Sequence, residues 1–85
     1  MPVMRDQVKS EVKAYILKEF LPGEDPKELT ESTPLITGGI LDSLATLKLV
    51  AFLEEQYACT LEPYEADAEH LDTISTIAEL VLSKR

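Results

Sequence analysis

The stretch that decides the fold is GGILDSLATLKLVAFLEEQY, from Gly38 to Tyr57. Two glycines lead to an Asp-Ser step, which is followed by a long segment rich in Leu, Val and Ala. Either Asp42 or Ser43 can cap a helix there, because both side chains can accept from the free N–H groups of the first turn. We therefore predict a helix from this step to about Tyr57. Its apolar residues exceed one narrow stripe, so the helix is either central to a bundle or covered by a partner.

A first helix is predicted from about Met4 to Phe20, where apolar residues recur every four positions. It should end at Leu21, because proline disfavours helical geometry in the residue before it and Pro22 follows. The connection to the next helix, residues 22 to 39, is rich in Gly, Pro, Ser and Thr. Its three apolar residues predict that it packs onto the core, with a short helical turn at Lys27 to Glu31; they are Leu29, Leu35 and Ile36.

The C-terminal third predicts two more helices. Pro63 suits the first turn of a short helix that reaches about His70. Asp72 or Thr73 can cap the last helix, whose core positions are Ile74, Ile77, Ala78 and Val81. Lys84 and Arg85 follow at its C-terminal end, where the helix dipole favours cations. We therefore expect one all-α domain over residues 1 to 85, a small bundle of three long helices and one short helix with a long loop between the first two.

Charge is unevenly distributed along the chain. The 16 acidic and 8 basic residues give a net charge of -8. From Leu21 to Ser83 the basic residues are Lys27 and Lys48, against thirteen acids. Nucleic acids and anionic membranes are bound through Lys and Arg, so we predict neither as a partner. The charge favours a monomer whose protein partners carry basic patches.

Cysteine usage and hydropathy bear on the compartment. The one cysteine, Cys59, cannot form an intramolecular disulfide, and we expect it to be a small buried hydrophobe. The start of the sequence has no apolar secretory segment, and nowhere are there 18 consecutive apolar residues. We therefore expect a cytoplasmic protein with a reduced thiol.

Ser43 stands where a helix presents free N–H groups and the positive end of its dipole, which together suit a phosphate. The simpler interpretation is that Asp42 and Ser43 only cap the helix. More of the sequence fits a known pattern, however. Gly-Ile-Leu-Asp-Ser-Leu at 39 to 44, the long loop before it, the amphipathic helix after it and Thr-Ile-x-x-Ile-Ala at 73 to 78 resemble the acyl and peptidyl carrier protein family.

The resemblance extends from Val8 to about Leu82 and implies a function. In that family the motif serine carries a 4'-phosphopantetheine arm, whose thiol holds an acyl or aminoacyl group as a thioester. By resemblance Ser43 is the attachment site, Asp42 is the acid beside it and Leu44 is the motif's apolar residue. The chain would then not be an enzyme. Its partners would be a phosphopantetheinyl transferase that uses coenzyme A, a ligase that loads the acyl or aminoacyl group, and downstream transferases or synthases.

The resemblance also makes the second helix the docking surface, with Leu47, Lys48 and the acids Glu54 and Glu55, which we expect to be exposed. Its apolar face, with Ile36 and Leu61, would form the core in which some carriers shelter their cargo. Carriers of fatty-acid synthesis resemble this pattern but have acids two and five residues after the serine, where this chain has Ala45 and Lys48. We therefore favour a stand-alone carrier of an aminoacyl, peptidyl or other specialised pathway over a general fatty-acid carrier.

Three other interpretations fit the sequence less well than a carrier. A serine hydrolase lacks support, because the Gly-x-Ser-x-Gly elbow is absent and His70, the only histidine, is expected to be a solvated surface residue. A calcium site lacks the spacing of an EF-hand loop, and we predict no metal at the acids Glu62, Glu65, Asp67, Glu69 and Asp72. The third is a carrier-like bundle that is never modified and serves as an adaptor; the presence of Ser43 argues only mildly against it.

Overall fold

The computed structural model describes residues 4 to 84, and within that range it contains helices and no strand. The four α-helices are α1 (Arg5–Phe20), α2 (Ser43–Tyr57), α3 (Ala68–Leu71) and α4 (Ile74–Ser83). Two 3-10 turns lie between them, at Pro26–Glu28 and Pro63–Glu65. The predicted all-α bundle of three longer helices, one short helix and a long first loop is confirmed. Across the described range, each helix is too short or too polar to cross a bilayer.

One hydrophobic core joins the helices, and each long helix contributes a single buried face. α1 contributes Val8, Val12 and Ile16, and the buried face of α2 consists of Ala45, Leu49, Leu53 and Tyr57. α4 contributes Ile74, Ile77, Ala78, Leu80 and Val81. Fully burying one such Leu, Ile or Val side chain stabilises the fold by about 1.5–3 kcal/mol, so these faces determine how the helices pack.

Aromatic side chains fix α2 against α1. The Tyr15 ring stacks on Phe52 with 4.0 Å between ring centroids, and its hydroxyl donates to the Lys48 carbonyl oxygen at 3.2 Å. At the C-terminal end of α2, the Tyr57 hydroxyl donates to a carboxylate oxygen of Glu11 at 2.7 Å. Burial, together with this hydrogen bond, raises the pKa of Tyr57. α2 is therefore held along its length with its opposite side turned outward.

The loop between α1 and α2 packs onto the core, as predicted. Leu29 and Leu35 are buried, whereas Ile36, predicted as a core residue, is only half-buried. The predicted turn of helix at 27 to 31 is shorter and begins earlier, at Pro26–Glu28, because Asp25 caps it by accepting from the Lys27 N–H at 2.9 Å.

Asp72 ties this loop to the other half of the bundle. Its carboxylate accepts the backbone N–H groups of Ile36 and Thr37 at 2.9 and 2.8 Å, and the Thr37 hydroxyl at 2.9 Å. The bond from the Thr37 backbone is the largest of the causes that lower the pKa of Asp72. Asp72 is therefore not the cap of α4. Thr73 takes that position, and its hydroxyl accepts from the Thr76 N–H at 3.1 Å.

The single helix predicted from Pro63 to His70 is wrong, because the chain breaks after the 3-10 turn Pro63–Glu65 and restarts as α3. Asp67 caps α3 by accepting from the His70 N–H at 3.1 Å, which competes with a continuous helix. Glu65 is 7% exposed and pairs with the Lys84 ammonium at 2.6 Å. Lys84 lies at the C-terminal end of α4 as predicted, and Arg85 lies outside the described residues.

Candidate functional site

Ser43 is the first residue of α2, and its side chain is exposed. Of the two possible caps, Asp42 is the one used: its carboxylate accepts from the Ala45 N–H at 2.8 Å. The Ser43 hydroxyl is thus not needed to cap the helix. The N–H groups of Ser43 and Leu44 belong to the first turn, outside the intrahelical ladder, and the positive end of the helix dipole lies beside them.

The two glycines before Ser43 shape the approach to α2. Gly39 has φ +82°, a backbone conformation that residues other than glycine rarely adopt. At Gly38 a Cβ atom would collide with the Pro34 carbonyl oxygen. The chain can make this close turn only with glycine at both positions. The turn leads through the buried Leu41 directly to Asp42 and Ser43.

An open groove of about 550 Å³ begins at Ser43. It lies between the start of α2, the end of the long loop and the segment that enters α3, and most of its lining is apolar. The lining residues are Ile36, Leu41, Asp42, Ser43, Thr46, Leu47, Ala66, Asp67 and Ala68. The half-burial of Ile36 follows from this position, since its side chain borders the groove as well as packing against the core.

The side of α2 opposite the core is apolar and exposed. Leu44 and Leu47 are 62% and 63% exposed and are neighbours on the helix surface. Lys48 and Ala51, also exposed, share the face of these leucines by the i, i+3, i+4, i+7 spacing of a helix, and Glu55 continues it. We call these five residues the α2 outer face. It includes three of the four predicted docking residues.

The fourth predicted docking residue, Glu54, does not fit the expectation of an exposed acid. It is half-buried, and its carboxylate accepts from the Leu61 N–H at 2.9 Å. This bond fixes the chain after α2, where Leu61 is buried as predicted. Glu54 therefore has a structural contact that its sequence position did not indicate. Glu55, by contrast, is exposed as predicted.

On the wall of the groove opposite α2, the Asp67 carboxylate is hydrogen-bonded to the ring of His70. The Nδ1 atom of His70 lies 2.9 Å from a carboxylate oxygen of Asp67, which also lines the groove. This hydrogen bond is the main cause that raises the pKa of His70 and lowers that of Asp67. His70 is half-buried, not the fully solvated residue that was predicted.

Three of the five acids considered as calcium ligands are engaged in other contacts. Glu65 pairs with Lys84, Asp67 pairs with His70, and Asp72 binds the long loop. Cys59 is half-buried and packs against the core, with its sulfur 3.6 Å from the Leu53 carbonyl oxygen. It is therefore less enclosed than predicted.

Three residues near Ser43 were not predicted as part of its surroundings. Ala66, Asp67 and Ala68 line the groove although they lie more than twenty positions after Ser43. No local pattern indicates this, because the contact depends on how the segment before α3 folds back toward α2. The fixing of the loop by Asp72 was also missed, because an acid before a threonine looks like a helix cap.

Comparison with known proteins gives two informative matches. The chain is 38% identical over 66 residues to the lincomycin biosynthesis protein LmbN of Streptomyces lincolnensis, which is 78% of this chain and 24% of that protein. It is 31% identical over 80 residues to the mitochondrial acyl carrier protein of Neurospora crassa, which is 94% of this chain and 58% of that protein. No protein-family profile matches the chain.

The matched mitochondrial relative is, by name, an acyl carrier protein and not an enzyme, in agreement with the prediction for this chain. The chain is similar to acyl carrier proteins, and these matches support the predicted family. It spans about a quarter of the length of one curated relative, at 24%, and just over half of the other, at 58%.

Proposed function

We propose that this chain carries acyl or aminoacyl groups as thioesters on a 4'-phosphopantetheine arm attached to Ser43. The observation that carries the proposal is the exposed hydroxyl of Ser43, which is free of the cap and stands at the mouth of an apolar groove. Residues 1 to 85 then form one carrier domain. Asp42 holds the start of α2, and Leu44 is the first exposed apolar residue beside the arm.

The surroundings of Ser43 suit this group. A phosphodiester on the hydroxyl would lie next to the first N–H groups of α2 and the positive end of its dipole, a favourable place for a negative charge. The apolar lining that Ile36, Leu41 and Ala66 give the groove suits an alkyl or pantetheine chain that leaves Ser43. When bound, the arm supplies a terminal thiol on which the cargo is held.

Attachment would be a single phosphoryl transfer. The Ser43 oxygen forms a bond to the phosphorus that joins pantetheine to the nucleotide in coenzyme A, and the bond from that phosphorus to the nucleotide breaks. Adenosine 3',5'-bisphosphate leaves, and the hydroxyl proton passes to a base of the phosphopantetheinyl transferase. Because Asp42 is bound to the Ala45 N–H, its role is to fix the helix start and not to activate the serine.

The partners that follow are the transferase, a ligase that loads the acyl or aminoacyl group, and enzymes that take the group onward, with the α2 outer face as the docking surface. Similarity to a lincomycin biosynthesis protein supports a specialised pathway, and similarity to a mitochondrial acyl carrier protein supports a fatty-acid-like alternative. Lys48, a cation beside the arm, favours the first of these. A monomer in the cytoplasm remains our expectation.

The test is the intact mass of the protein after incubation with coenzyme A and a broad-specificity phosphopantetheinyl transferase. The wild type should gain one phosphopantetheine, and Ser43→Ala should gain none. Ser10→Ala is the matched control, because Ser10 is an exposed serine on α1 and its loss should leave the gain unchanged. If folded wild-type protein gains no mass, the proposal is wrong.

The other candidate is an unmodified adaptor, and the exposed α2 outer face is the observation that favours it. An adaptor would bind its partner through Leu44 and Leu47 without any arm. Ser43→Ala would then leave partner binding unchanged, while Leu47→Asp would abolish it. A carrier, by contrast, loses transfer of its cargo with Ser43→Ala.

A further inference from the structure

The α2 outer face combines an apolar patch with a single unpaired cation. The side chain of Lys48 is exposed and makes no ion pair with any residue from 4 to 84, where the four ion pairs involve other cations. Leu44 and Leu47 flank it with more than half of their surfaces exposed. From Ser43 to Leu53, α2 has no acidic residue at all. This is unlike the rest of a chain whose net charge is -8.

The position of Lys48 gives it influence over any protein that reaches Ser43. It lies five residues further along α2, which places it about 7.5 Å from Ser43 along the helix axis. Its backbone carbonyl is held by the Tyr15 hydroxyl, and Tyr15 is stacked on Phe52, so the helix beneath the side chain is fixed. Leu47 belongs both to this face and to the groove at Ser43. A protein that contacts the modified serine therefore also meets Lys48.

From this juxtaposition we infer that Lys48 selects the enzymes that dock on α2, by pairing with an aspartate or glutamate beside an apolar depression that receives Leu44 and Leu47. This inference rests on the proposed function, since docking matters only where Ser43 is modified. A basic docking surface would bury the ammonium group against like charge, which costs affinity and slows association. Lys48 thus weakens the binding of enzymes with basic docking surfaces, which the acidic surface of the rest of the chain would otherwise attract.

The experiment uses one broad-specificity phosphopantetheinyl transferase in two forms. The two forms differ at one position only, the transferase residue that is closest to Lys48 in the docked complex. That residue is lysine in one form and glutamate in the other. Each form modifies the wild-type chain, Lys48→Glu and the control Lys27→Glu, and kcat/KM is taken from initial rates. Lys27 is the matched control because it is an exposed lysine on the long loop and its reversal changes the net charge equally.

The glutamate form should prefer the wild type over Lys48→Glu by roughly tenfold in kcat/KM, and the lysine form should show the reverse preference. Lys27→Glu should behave like the wild type with both forms. The inference is overturned if both forms give the same ratio of wild type to Lys48→Glu, or if Lys27→Glu changes the rates as much. It is also overturned if the wild type is a dimer that Lys48→Glu dissociates, because the anion opposite Lys48 would then belong to a second copy.

The intact mass at the end of each reaction separates this inference from the proposed function. If every variant finally gains one phosphopantetheine but the rates do not depend on residue 48, only the role of Lys48 fails. If no variant gains mass with either form, the carrier function itself fails.

Discussion

The two sides of α2 use the same residue type in opposite ways. Leu49 and Leu53 are fully buried, whereas Leu44 and Leu47 are 62% and 63% exposed, although all four lie within ten positions of one helix. The buried pair belongs to the hydrophobic core and contributes to stability. The exposed pair contributes little to folding and instead forms a surface next to Ser43. When a helix has more apolar residues than one buried stripe needs, the excess therefore indicates that it contributes both to the core and to an exposed surface.

The largest effect expected from this comparison is a difference in stability between two alanine variants. Leu49→Ala should lower the free energy of unfolding by about 2–5 kcal/mol, because it leaves a cavity in the core. Leu47→Ala, its matched partner on the outer face, should change it by less than about 0.5 kcal/mol. Urea denaturation followed by circular dichroism measures both.

Equal losses from the two variants would contradict the comparison, since they would place Leu47 in the core. Because a small domain has only about 5–15 kcal/mol of stability, Leu49→Ala can leave part of the protein unfolded in buffer. Leu49→Val then serves as the milder variant. It should still cost more than Leu47→Val.

A smaller effect separates the two residues at the start of α2. Asp42→Ala should lower the free energy of unfolding by about 1 kcal/mol, because it removes the acceptor for the Ala45 N–H. Ser43→Ala should leave stability nearly unchanged, because the Ser43 hydroxyl does not cap the helix. Thermal and urea unfolding of the two unmodified variants give the comparison. A greater loss from Ser43→Ala would mean that the serine is the cap, and would remove the structural argument for its availability.

The sequence predicted what depends on local periodicity and on short motifs. The three longer helices and the burial of Val8 and Ile77 follow from spacing alone, and the position of Ser43 follows from the motif around it. Long-range hydrogen bonds could not be predicted in this way. The contacts of Asp72 with residues 36 and 37 and of Glu54 with Leu61 depend on how distant segments meet, so both acids were assigned other roles.

The break between Pro63–Glu65 and α3 shows the same limit at shorter range. Proline correctly indicated where the helical segment begins, but two acids compete with its continuation. Glu65 is fixed by Lys84 from the far end of α4, and Asp67 turns its carboxylate onto the N–H of His70. The first contact joins residues 19 positions apart, which a pattern within one segment cannot reveal. The groove beside Ser43 owes its second wall to this break.

The smallest predicted effect concerns the groove wall opposite α2, where His70 is paired with Asp67. Lys48 on the α2 outer face has no such partner among residues 4 to 84. The hydrogen bond to Asp67 raises the pKa of His70 above its ordinary 6.5, and the same bond lowers the pKa of Asp67 below 3.8. The histidine's contribution to stability is therefore complete below pH 6.5 and is lost as the pH rises through the raised pKa. The aspartate's contribution is complete above pH 3.8 and is lost as the pH falls through the lowered pKa.

The His70–Asp67 pair thus stabilises the start of α3 most between pH 3.8 and 6.5. A pH titration of the His70 ring followed by NMR should give a pKa above 6.5 in the wild type, and Asp67→Asn should return it toward that value. Glu69→Gln is the control: Glu69 also raises the pKa of His70, but more weakly than Asp67, so the variant should produce the smaller decrease. If Glu69→Gln lowers the pKa of His70 more than Asp67→Asn does, the charges of the surrounding acids set that pKa, and not the hydrogen bond to Asp67. This wall of the groove is then not held by the His70–Asp67 pair.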